Sequence, residues 1–152
     1  MPTPGLYRTI RDDIEGVWNT NWTQPGITVF WRDNDPQPVP DPTSTPHFFR
    51  NEVDFGKEDI VAFGGGRHAA LRCQYGSVIL RCFTSRMIGD EDEALDLLDS
   101  AVKMFRSQRL TDGSSNDLSF IGNGSGFDWG PGEDGTWFMR SVLLVFEYRF
   151  FG

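Results

Sequence analysis

The densest run of titratable side chains in this chain is Asp90-Glu91-Asp92-Glu93. Four adjacent carboxylates could chelate a hard divalent cation through their oxygens. The same run also suits a helix start, because first-turn carboxylates complement the macrodipole, and Asp90 with Glu93 three residues later has the form of a capping box. Capping is the preferred reading. Asp33-Asn34-Asp35-Pro36 begins like a calcium loop, then lacks the glycine and the distant glutamate that an EF-hand requires. Gly64-Gly65-Gly66-Arg67 and Gly122-Asn123-Gly124-Ser125-Gly126 could cradle a phosphate, yet neither has the spacing of a P-loop or a dinucleotide fingerprint, and both read as turns. Ser100-Ala101-Val102-Lys103 matches S-x-x-K without a K-T-G partner, and Lys103 reads as a solvated side chain. His47 and His68 have no ligand-type neighbour at helical or strand spacing, so a zinc site is not expected. No nucleophile, base and oxyanion donor can be assembled from these residues. The expectation is therefore a non-enzymatic protein with no catalytic residues, no metal and no cofactor.

Neither cysteine belongs to a C-x-x-C pair. Residues 69–74 and 77–83 read as the two strands of a hairpin turning at Tyr75-Gly76. In that register Cys73 and Cys82 share an apolar face but stand about 14 Å apart at ~3.4 Å per residue, beyond disulfide reach. Two free, buried thiols are expected, acting as small core hydrophobes.

The elements that would position these groups follow from periodicity. Leu6, Ile10, Ile14 and Val17-Trp18 recur at helical spacing, which predicts an amphipathic helix over 4–19 with Thr3 as N-cap and Pro4 in first position. After Pro25-Gly26, residues 27–31 form a β-rich aromatic strand, and 47–55 a second strand. Ala94, Leu97, Leu98, Ala101 and Phe105 stripe one face of a helix running from Asp90 to Gln108. Residues 136–151 alternate as one continuous strand, apolar on both faces and hence central in a sheet or buried in a subunit contact. Between these lie two long loops. Residues 33–46 are rich in proline, and 111–135 are rich in Gly, Ser, Asn and Asp with a short strand at 118–121.

With 152 residues and 38% hydrophobic content the chain suits one domain with a real core. The order helix, strands, helix, strands predicts an α+β class: a mixed, mainly antiparallel sheet flanked by two main helices. A net charge of −8 argues against sequence-independent binding to nucleic acid or to an anionic membrane. No run approaches the ~20 apolar residues of a transmembrane helix, and residues 1–10 show no secretory h-region, so a soluble chain that is not exported is expected.

The order of elements also resembles the tail terminator, or minor tail protein, family of long-tailed bacteriophages, with relatives in prophages and gene-transfer particles. The resemblance lies in an N-terminal helix followed by the aromatic strand Ile27-Thr28-Val29-Phe30-Trp31. It continues in Gly76-Ser77-Val78-Ile79-Leu80-Arg81-Cys82-Phe83, leading through Gly89 into Ala94-x-x-Leu97-Leu98 and ending at Phe105. It closes with Gly135-Thr136-Trp137-Phe138 and Val145-Phe146-Glu147-Tyr148. The resemblance implies a single domain that assembles as a homo-oligomer, a hexameric ring, on the head-proximal end of the tail tube. Such a ring ends tube polymerisation and offers a joining surface for the head, so the partners implied are further copies of itself, the tail tube protein and the head-tail connector protein. It implies DNA only in transit through the channel, no membrane, assembly in the host cytoplasm and a final place in the virion tail. The chain departs from the family in its proline-rich 33–46 and glycine-rich 122–135. A tail terminator has work for such loops, which are expected to order against neighbouring subunits or the tube end. Phe127, Trp129 and Trp137 are the expected aromatic anchors, and Asp33, Asp35 and Arg67 the charged contacts. The alternatives are a connector or tube subunit of the same particle, and a small intracellular enzyme whose site no motif reveals.

Overall fold

A computed structural model describes residues 5–31, 40–62, 70–106, 109–111, 117–123, 128–131 and 136–151, with 109–111, 117, 121–123 and 128–131 described through their backbone. Helix α1 (Leu6–Asn21) starts two residues later than its periodicity predicts, and its N-cap is Gly5, which offers no side-chain cap. Thr3 and Pro4 lie outside the described residues. At Pro25-Gly26 the chain turns with Gly26 at φ 77, a conformation glycine adopts without a Cβ penalty. Strand β1 (Thr28–Trp31) follows and pairs in parallel with β2 (His47–Ala62).

Strand β3 (Leu71–Ser85) corrects the hairpin expected at Tyr75-Gly76. These two residues lie inside one continuous strand, and β3 pairs antiparallel with β2 on one side and with β7 (Trp137–Phe151) on the other. Gly76 serves close approach rather than turning. A Cβ built there would stand 2.4 Å from both the Asp54 carbonyl oxygen and Phe146 Cζ. Nine positions apart in one strand, Cys73 and Cys82 face opposite sides of the sheet instead of sharing one. Both are free and buried, as expected.

Helix α2 (Glu91–Arg106) follows β3 and carries its apolar stripe inward through Ala94, Leu97, Leu98, Ala101, Val102 and Phe105. The short strand expected at 118–121 is present and longer, and 128–131, expected as loop, adds a further strand. Strands β4 (Arg109–Thr111) and β5 (Asp117–Asn123) form an antiparallel pair, β5 lies along the 144–149 part of β7, and β6 (Asp128–Pro131) pairs with its 138–141 part. Polar, glycine-containing strands of this kind carry little alternation, so their pairing is set by the long neighbour and not by their own pattern.

The result is an α+β fold. Its mixed sheet runs β1-β2-β3-β7-β5-β4, with β6 beside β7. Both helices pack on one face, against Trp31, Phe49, Val78, Leu80, Cys82, Val142, Leu144, Phe146 and Tyr148. The opposite face carries a smaller aromatic cluster of Phe30, Phe48 and Trp137 with Phe83 against it. Among the described residues no helix is long and apolar enough to cross a membrane.

Candidate functional site

Asp33, Asp35, Arg67 and Phe127 lie outside the described residues. Trp129 belongs to β6, where its backbone is partnered with Arg140 of β7. Trp137 corrects its expected role as a contact anchor. Its side chain is 2% exposed and its ring meets that of Phe48 edge-on at 4.8 Å, inside the chain's own second core. The register decides this, since Trp137 lies opposite Ser85 of β3 and so on the same face as Phe83 and Phe48.

The described part of the proline-rich segment is also fastened to β3 of the same chain. Asp41 accepts hydrogen bonds from the Thr43 amide and hydroxyl at 3.0 and 2.8 Å, which hold its carboxyl below the ordinary range. The Pro42 carbonyl accepts from Ser85 Oγ at 2.7 Å, and the Pro46 carbonyl accepts from the Ser85 amide at 2.8 Å.

The chemistry-bearing groups that the fold does bring together lie where α2 meets the sheet. His47 opens β2 opposite Thr84 of β3, and its ring is fully buried. Its Nδ1 stands 3.1 Å from Thr84 Oγ1, and its Nε2 lies 3.4 Å from Glu93 Oε2. The second contact lacks the alignment of a hydrogen bond and is an ion pair only when the ring is protonated. Burial pushes the imidazole below its usual value of 6.5, while the Glu93 and Asp90 carboxylates pull the other way without overcoming it. Beside it, Arg140 of β7 donates to Glu91 at 3.0 Å.

These contacts account for the acidic run. Asp90 Oδ1 accepts from the Asp92 amide at 3.0 Å and the Asp90 carbonyl accepts from Ala94, so Asp90 caps the helix as expected. Glu93 does not close the other half of a capping box. It turns to His47, while Glu91 turns to Arg140, so the carboxylates diverge instead of converging on one point.

Hydroxyl, imidazole and carboxylate in a row form the constellation of nucleophilic catalysis, and spacing along the chain could not reveal it because His47 and Thr84 are 37 residues apart. Thr84 is itself buried, 5% exposed. Cys82 is pushed up to about 12 by burial and stays a neutral thiol. On the opposite face Cys73 is also raised by burial, with Sγ 4.0 Å from Glu147 Oε2. The His47–Glu93 and Arg140–Glu91 contacts join α2 to the sheet.

No family model matches the chain, and no curated protein matches it. Among solved structures it is similar to a protein whose designation states no activity, at 14% identity and a TM-score of 0.56, over 93% of this chain and 97% of that one. That likeness shows a shared fold along essentially the whole of both chains. It is also similar, at 16% identity and a TM-score of 0.40, to a chain from the virion of a native gene transfer agent particle, over 96% of this chain and 91% of that one. A likeness as loose as the second carries no structural argument.

Proposed function

We propose that this chain is a structural protein of a phage-like particle that closes into a ring on the head-proximal end of the tail tube. The ring ends tube polymerisation and presents a joining surface to the head connector. The observation that carries this reading is the order of elements: an N-terminal helix, an aromatic edge strand, a long hairpin, a second helix on the same face, and a closing central strand. It is the order the tail terminator resemblance implies. The role is non-catalytic and needs no cofactor, in keeping with a buried His47 that fastens α2 to the sheet. The acidic balance of −8 suits a channel through which DNA passes without sticking.

Light scattering on the purified chain, followed by tube assembly with the tube protein of its own particle, tests the reading. A closed species of roughly six times the 17.2 kDa chain mass that shortens the tubes is the expected result. Open filaments formed by the chain alone would assign it to the tube itself. A monomer with no effect on tube length would remove the proposal.

A further inference from the structure

Strand β2 is flanked on its outer side only in part. Among the described residues β1 pairs with residues 48–51, so along residues 52–62 the outer edge of β2 pairs with no strand. An open edge presents a row of free amides and carbonyls to any extended chain. Here it also carries Ile60 and Val61, 45% and 46% exposed. Adjacent β-branched side chains on such an edge favour pairing with a strand of another chain.

The ladder between β2 and β3 changes character where that edge opens. Over residues 47–55 it is regular, one residue against one. Phe55 then lies opposite Gly76 and Glu58 opposite Gln74, so Gly56 and Lys57 together face Tyr75. A second extra residue, Val61, enters between the Ile60–Arg72 and Ala62–Leu71 pairs. Both bulges add their residue to β2, the strand with the open edge. An extra residue bends its strand and raises the local twist, which makes the edge a poor template for a straight partner.

Gln74 fixes the first bulge. Its side chain is fully buried, and its Nε2 donates to the Gly56, Lys57 and Tyr75 carbonyls at 3.0, 3.4 and 2.8 Å. Gly56 and Lys57 are the pair in excess, so a side chain supplies the donor that a one-for-one ladder would otherwise provide. Gln74 Oε1 is buried without a partner among the described residues, which leaves donation as the contribution of this amide. On the solvent side Lys57 Nζ lies 5.6 Å from the Tyr75 ring centroid and 3.1 Å from Asp59. The crest of the bulge therefore carries charge, a further obstacle to a docking strand.

We propose that the Gly56-Lys57 bulge, held by Gln74, keeps the open edge of β2 from pairing with a strand of another copy. Gln74 is a positioning residue that acts through the backbone of β2. The inference goes beyond the ring reading, since it concerns an association the fold prevents and not the one that builds a ring.

Deleting Gly56 from the full chain tests it. One residue fewer leaves Lys57 alone opposite Tyr75 and does not move the pairs that follow. Circular dichroism reads folding, and light scattering over a concentration series reads mass. The deletion is expected to stay folded and to give species several times heavier than wild type, growing with concentration. Adding Val61→Lys to the deletion is expected to return the wild-type mass, because a charge again marks the edge. Gln74→Leu is expected to lower the urea midpoint of the wild-type chain. In the deleted chain, where no excess carbonyls remain, that shift is expected to fall to less than half. A deleted chain that keeps the wild-type mass at every concentration overturns the proposal. A deleted chain that does not fold also overturns it, because the bulge would then be a requirement of the fold itself. Equal midpoint shifts in the two backgrounds overturn the part given to Gln74. Each of these failures leaves the capping test, which reads tube length, unaffected.

Discussion

Replacing Gly76 with alanine adds one methyl group where a β-carbon meets the Asp54 carbonyl oxygen and Phe146 Cζ, both at 2.4 Å, with Phe146 Cε1 at 2.8 Å. Neither neighbour yields easily. The carbonyl belongs to the backbone of β2 within its ladder to β3, and the Phe146 ring is fully buried in the main core. Overpacking of this kind costs about 1–3 kcal/mol. Relief of the glycine entropy penalty in a strand returns roughly 0.5–1 kcal/mol. The net expectation is a loss on the order of 1 kcal/mol, read from urea midpoints at unchanged m and fixed protein concentration with tryptophan fluorescence as the probe. A double-mutant cycle isolates the cause. Phe146→Ala alone should cost about 3–5 kcal/mol. In that background Gly76→Ala should cost less, because two of the three close atoms are gone, leaving a coupling on the order of 1 kcal/mol. Strict additivity, or a change within about 0.5 kcal/mol for Gly76→Ala alone, would refute the steric account.

Two further expectations concern the buried polar and aromatic groups. His47 titrates below 6.5 in the folded chain, so the unfolded chain binds the proton more readily and stability should fall as pH drops below 6.5. The contribution of this group to the slope is bounded by about 1.4 kcal/mol per pH unit for one proton, and denaturation curves between pH 7.5 and pH 5 should be flatter for His47→Gln than for wild type. Parallel curves would remove His47 from the acid response. Trp137→Ala should destabilise the fold by about 3–5 kcal/mol, since the side chain is 2% exposed against Phe48. A change under about 1 kcal/mol together with lost assembly would return Trp137 to a contact surface.

The secure elements were those whose evidence is local. The stripe Ala94, Leu97, Leu98, Ala101, Phe105 identifies α2 because an amphipathic helix repeats its own signal every turn. The unbroken alternation of Trp137–Phe151, apolar on both faces, identifies a central strand, with Val142, Leu144, Phe146 and Tyr148 buried on one face and the other half-buried. Pro25-Gly26 marks a turn through backbone geometry that belongs to those two residues alone. Local signals also mislead where the deciding partner is remote. Tyr75-Gly76 resembles a turn until Phe146, 70 positions away, is seen to occupy the space a side chain would need. The strand at 118–121 was legible, but its full extent and the strand at 128–131 have little alternation of their own and take their place along β7. The row from Thr84 through His47 to Glu93 exists only because β2 and β3 pair in one register and α2 crosses above them. Composition and periodicity determined which segments are helix or strand and which side chains turn inward, since those preferences act within a few residues. Register, strand order and the bulges of β2 were decided by tertiary structure, because they depend on contacts between segments far apart along the chain that no local pattern encodes.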